Sequence, residues 1–155
     1  FSFIAATLVW LLATWRWRER VRPRFRRGRV AAGYAGMILL GLPCFGTAWW
    51  LLADPMAAVL VTLANGVVFF LILRPGHWRL AAAGSAGFGL VHVLLIKIWF
   101  WLFPAFASSW PATGPWSGQV WGVPWGELAW AGAYGACWPL WMAFLMQTDI
   151  LKEPA

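Results

Sequence analysis

Apolar residues fall in long unbroken runs, and short stretches rich in Arg, Pro, Gly or Asp separate them. Five runs can be delimited: Phe1 to about Trp15, about Val30 to Ala53, about Met56 to Leu73, about Leu80 to Phe103, and about Pro124 to Met146. A helix rises about 1.5 Å per residue and needs ~20 apolar residues to cross a bilayer. Each run is therefore long enough, or nearly so, for a membrane-spanning helix. Strands are not expected, because period-two alternation is absent. Asp54-Pro55 and Arg74-Pro75-Gly76-His77 read as tight turns between helices. Residues 104–123 are rich in Pro, Gly, Ser and Trp and carry no charge, so an interfacial or re-entrant loop over the helix ends is expected there. No internal repeat stands out. The expected architecture is an all-α integral membrane protein: residues 1–155 form a single transmembrane helical domain of about five helices with a Trp/Pro/Gly-rich outer loop.

The first run is short for a span, and the chain begins with Phe1. The expectation is a first helix truncated at its N-terminus. A cleaved signal peptide is disfavoured, since no small-residue cleavage site follows the run.

Composition narrows the class. The 155 residues are 62% hydrophobic and 11% charged, against about 45–50% and about 25% in soluble domains. That balance excludes a soluble single-core domain, a disordered chain and a secreted miniprotein. Both cysteines, Cys44 and Cys137, sit inside apolar runs and read as buried free thiols, with no disulfide framework and no metal-binding pattern.

The formal charge of +7 changes the picture through its placement. Arg16, Arg18, Arg20, Arg22, Arg24, Arg26, Arg27 and Arg29 lie in one stretch beside hydrophobic runs. A basic stretch so placed sets topology and meets anionic lipid headgroups, in preference to nucleic acid. With that loop in the cytoplasm, successive crossings put Asp54 outside, Arg74 and Arg79 inside, the Trp-rich loop outside and Lys152 inside. Eleven of the 12 basic residues then share one side, and the twelfth, Lys97, lies within a span. This is the positive-inside pattern, and it places the chain in a bacterial-type inner membrane with its C-terminus cytoplasmic. Most of the 15 tryptophans fall at span boundaries, where indole prefers the headgroup layer. Trp110, Trp116, Trp121 and Trp125 cluster on the outer side, either as an interfacial loop or as an aromatic lid over a ligand cavity.

Ionisable side chains at membrane depth are costly and so are candidate functional groups. His92, near the middle of the fourth run, is either a neutral imidazole hydrogen-bonded to a neighbouring helix, for example at Asn65, or an axial ligand to a metal tetrapyrrole such as bacteriochlorophyll. Lys97 either snorkels towards the outer interface or pairs with an acid. That acid is Glu127, in the first turn of the fifth helix, where a carboxylate gains from the helix dipole. Glu127 is either a helix-end charge paired with Lys97 or a proton donor in an apolar cavity. Small residues four apart, Ser85 with Gly89 and Ala131 with Gly135, mark faces for close helix approach. Pro43 and Pro139 are expected to kink their helices.

The stretch Gly122-Val123-Pro124-Trp125-Gly126-Glu127-Leu128-Ala129-Trp130, followed by Gly135 and Trp138-Pro139, resembles the membrane-embedded lycopene cyclase-like family over about residues 116–146. That family shows a glycine, an apolar residue, proline, any residue and two acids ahead of an apolar helix. The resemblance implies an all-helical membrane protein whose acid protonates a polyene isoprenoid and drives ring closure without net redox change. It assigns Glu127 the acid's position, while the second acid's position is Gly126 here. Heterodimers or fused domain pairs are common in that family.

Two functions follow as expectations. One is an enzyme or binding protein for a hydrophobic isoprenoid such as a carotenoid, with Glu127 as acid and Trp121, Trp125, Trp130, His92 and Lys97 around the ligand. The other is a non-catalytic structural or pigment-associated subunit of a photosynthetic or respiratory membrane complex. A transporter or channel fits less well, since such proteins show several intramembrane acids or a charged ring.

Overall fold

The computed structural model describes residues 27–108 and 114–145, together with residues 8, 12, 21–22 and 149–150. The fold is mostly helical. In chain order it comprises β1 (Val21–Arg22), α1 (Arg27–Leu52), α2 (Pro55–Leu73), a 3-10 turn (Pro75–His77), α3 (Trp78–Leu102), α4 (Pro104–Ser108), β2 (Gln119–Val120), β3 (Val123–Pro124), α5 (Trp125–Leu145) and β4 (Asp149–Ile150). Four long helices thus occupy the second to fifth apolar runs, with ends within about three residues of those read from hydropathy. Among the described residues three stretches, Gly33–Leu52, Pro55–Leu73 and Pro75–Leu102, are long and apolar enough to cross a membrane. The helix α5 has 21 residues but lower hydropathy, because Glu127, Tyr134, Pro139 and its tryptophans interrupt the aliphatic character. Of the first run only Leu8 and Leu12 are described, both helical and exposed.

The expected absence of strands needs correction. Two antiparallel ladders of two residues each are present, β1 with β4 and β2 with β3. Ladders this short need no alternating pattern, only a turn or a chance to align two chain ends. The β2–β3 hairpin turns on Trp121 (φ 54°) and Gly122 (φ 76°). Positive φ at both central residues matches the right-handed strand twist. Gly122 adopts it freely, whereas a bulky residue such as Trp121 does so at a steric cost.

The turn between α1 and α2 is assembled from three residues. Ala53 leaves α1 in a left-handed conformation (φ 50°) and its amide closes on Trp49 O at 2.9 Å. Asp54 is the N-cap of α2, accepting from Ala57 N at 3.0 Å. Pro55 follows at the first helical position, where its fixed φ fits and its missing N–H is not needed. At the other end of α2, Arg74 precedes Pro75 and the helix stops.

The helices form an up-and-down array in which α5 packs against α3 and α2, and α2 against α1. One end of the array carries the Asp54 turn and the 114–124 connector, joined by the Trp116 indole donating to Asp54 Oδ2 at 2.6 Å. The opposite end carries the start of α1, the Arg74–His77 turn and the end of α5, where Gly33 lies against Phe144 and Leu145. The β1–β4 pairing, Val21 opposite Ile150 and Arg22 opposite Asp149, joins the two chain segments flanking α1 and α5.

The tightest packing is the antiparallel crossing of α3 and α5. A Cβ built on Gly84 would collide with the Gly135 carbonyl oxygen and with Pro139 Cγ. One built on Gly135 would lie 2.6 Å from Gly84 O and 2.8 Å from Phe88 Cβ. Phe88 and Ala131, one turn further along each helix, are fully enclosed and form the core cluster. Of the faces expected from spacing, Ala131 and Gly135 lie at this crossing. On α3 the face is corrected from Ser85–Gly89 to Gly84–Phe88. Ser85 lies at its edge against Gly135 and Gly132, and a Cβ built on Gly89 would meet nothing within 4 Å among the described residues. Both Pro43 and Pro139 sit inside continuous helices.

Gly84→Ala and Gly135→Ala are each expected to destabilise the fold by about 1–3 kcal/mol through overpacking. Gly89→Ala, with open space around it, is expected to be neutral or slightly stabilising. Thermal unfolding of the three variants in one detergent distinguishes a backbone-contact crossing from a generally small-residue face.

Candidate functional site

The crossing fixes what meets further along the two helices. From Gly84 opposite Gly135, four residues forward on α3 and four back on α5 bring Phe88 against Ala131. Four more bring His92 against Glu127. The two side chains touch: His92 Nε2 lies 2.8 Å from Glu127 Oε2. A contact of this length between an imidazole nitrogen and a carboxyl oxygen carries one proton, on either atom. The side chains are only 12% and 17% exposed.

The expected Lys97–Glu127 pair is therefore corrected. Lys97 is exposed and has no ion-pair partner among the described residues. It lies five residues beyond His92, which rotates it about 140° around α3, off the α5-facing side. His92 is hydrogen-bonded to a neighbouring helix as expected, but its partner is Glu127 and not Asn65. Asn65 is exposed on α2.

Aromatic rings wall the pair. Phe88 stacks on the His92 ring (5.8 Å, 23°) and Trp130 lies 5.3 Å from it. Tyr134 stacks on Trp130 (5.1 Å, 11°) and touches Phe88 (5.2 Å). Trp138 and Trp141 continue this ladder down α5, at i+4 and i+3 steps, to Tyr34 of α1. The sequence names Trp130 as a ligand residue, Trp138 only as part of the motif before Pro139, and Phe88 and Tyr134 not at all, since aromatic residues at helical spacing in so aromatic a chain carry no distinguishing mark.

The other expected ligand residues are held by the connector. Trp125 stacks on Trp116 (5.0 Å, 27°) and its indole donates to Pro115 O at 2.8 Å. Trp121 stands 78% exposed at the hairpin tip. Of the eight arginines, Arg22 lies in β1 and Arg27 and Arg29 open α1, while Arg16, Arg18, Arg20, Arg24 and Arg26 lie outside the described residues, as does Lys152. Among the described residues no group of three or more His, Cys, Asp or Glu is placed to hold a metal ion. An axial bond from His92 Nε2 to a tetrapyrrole metal would require breaking the bond to Glu127.

Asp54, which the sequence marks only as a turn residue, ties the connector to the helices. The Ala57 amide and the Trp116 indole donate to its carboxylate and hold its pKa below the usual 3.8. Its contribution to stability is therefore fully present above pH 3.8 and is lost as pH falls through the lowered folded value. Unfolding temperature is expected to fall on acidification below 3.8, and Asp54→Asn is expected to flatten that acid limb.

A second prediction concerns the pair. His92→Ala leaves the Glu127 carboxyl without its partner in an apolar wall, at a cost of about 1.5–3 kcal/mol. His92→Leu with Glu127→Leu is expected to recover part of that loss, as measured by thermal unfolding in a double-mutant cycle. Compared with known proteins, the chain matches no family model, no curated protein and no solved structure.

Proposed function

We propose that this chain is a multi-pass protein of a bacterial-type inner membrane that binds and acts on a hydrophobic polyene isoprenoid, with Glu127 as the acid. In this reading the arginine-rich segment and the C-terminus face the cytoplasm and the Trp-rich connector faces outward. Three long apolar helices support the membrane setting. The observation that carries the chemistry is the 2.8 Å His92–Glu127 contact, largely shielded and ringed by Phe88, Trp130 and Tyr134. A proton-bearing pair that faces aromatic rings and little water suits protonation of an alkene.

The step balances without an oxidant. Glu127 gives its proton to a terminal alkene carbon of the polyene. The resulting cation is attacked by an internal double bond, which closes a ring, and aromatic faces stabilise the positive charge. Loss of a proton from a neighbouring carbon to the carboxylate restores both the alkene and the acid. His92 is the positioning residue: its Nε2 contact fixes the orientation of the Glu127 carboxyl. The single acid, with Gly126 beside it, makes this imidazole the partner that a second carboxyl would otherwise supply.

Expression in a lycopene-accumulating host tests the reading. Ringed product is expected from the wild type, and Glu127→Gln is expected to lower it at least 100-fold while unfolding temperature changes little, because the amide keeps a hydrogen bond to His92. Absence of ringed product from the wild type, with co-purifying subunits supplied, overturns the catalytic reading and leaves the pair as a clamp in a non-catalytic subunit.

A further inference from the structure

A cavity of about 470 Å³ lies between α1, α2 and α5, away from the His92–Glu127 pair. Its size is within the ~300–1,000 Å³ of small-molecule sites. One wall is the glycine face of α1: a Cβ on Gly36 or Gly41 meets nothing within 4 Å. The opposite wall includes Phe69 and Phe70 of α2, and Cys137 closes the α5 side. Among the described residues no Lys, Arg, His, Asp or Glu lines it, so these offer a charged ligand no counter-ion.

The polar exception is decisive. Asn65, midway along α2, lines this cavity, and its side-chain amide makes no hydrogen bond to the described residues. Thr62, three residues earlier on the same wall, spends its proton on Ala58 O at 2.8 Å and keeps only an acceptor. An amide at that depth in a membrane lacks water to satisfy it, and leaving it unpaired is costly. The amide offers donors and an acceptor together, which one hydroxyl group complements in both directions.

We infer that the cavity between α1, α2 and α5 binds an uncharged single-chain lipid alcohol, its hydrocarbon chain along the glycine face of α1 and its hydroxyl on Asn65. This site stands independently of the proton pair and of the reaction proposed for it.

Native mass spectrometry of the full chain released from detergent, titrated with oleyl alcohol and separately with 1-octadecene, tests the inference. One oleyl alcohol per chain is expected to be retained. Asn65→Leu, similar in volume, is expected to weaken alcohol retention about three- to tenfold and to leave octadecene retention unchanged. Gly36→Leu and Gly41→Leu, which fill open space, are expected to abolish retention of both. Glu127→Gln is expected to leave retention as in the wild type, which separates failure of this site from failure of the proton pair. Equal retention by the wild type and the glycine variants overturns the inference. So does equal loss of alcohol and octadecene in Asn65→Leu, or a folded wild type that retains neither because a second copy of the chain covers the groove.

Discussion

The structure depends on the backbone contact between Gly84 and Gly135. Two helices can come this close only where neither carries a Cβ, and the contact then sets their register. Because α3 and α5 run antiparallel, each step of four along one is matched by four back along the other. Phe88 meets Ala131 and His92 meets Glu127 as consequences of that single alignment. A shift of one turn would leave both the imidazole and the carboxyl facing hydrocarbon alone.

The connector is held differently. Asp54 caps α2 through Ala57 N and also accepts from the Trp116 indole, while Trp125 stacks on Trp116 and reaches back to Pro115. One carboxylate thus joins the start of α2 to the segment that leads into α5. Gly126 permits the close approach, with Trp116 atoms 3.4 Å from where its Cβ would stand. Gly126 therefore has a packing role: a side chain larger than a methyl group there would press on Trp116.

Helix positions were legible from hydropathy because lipid-length apolar runs leave few alternatives, and Asp54-Pro55 and Arg74-Pro75 punctuate them plainly. Contacts between helices were less so. Hydropathy says which residues are apolar but not which face of an apolar helix meets a neighbour, and the small pair Ser85–Gly89 stands out by spacing while the face in contact pairs Gly84 with the bulky Phe88. That ambiguity also misassigned the partner of Glu127. Lys97 stands five residues, about 7.5 Å, beyond the level at which His92 meets Glu127 and on another side of α3, and neither offset shows in hydropathy. The two-residue ladders were missed because they rest on turn geometry and on chain-end alignment, neither of which leaves a periodic trace.

The arrangement of α1 has a mechanical consequence. It leans on α2 and reaches α5 mainly near its own beginning, at Gly33 and Tyr34, while α3 and α5 are locked by touching backbones. Resistance to bending is thus unequal across the bundle. Among the described residues a Cβ built on Gly41 or Gly46 meets nothing within 4 Å, and Pro43 between them lacks one rung of the helical ladder, so this half of α1 is the part of the bundle with least to oppose bending.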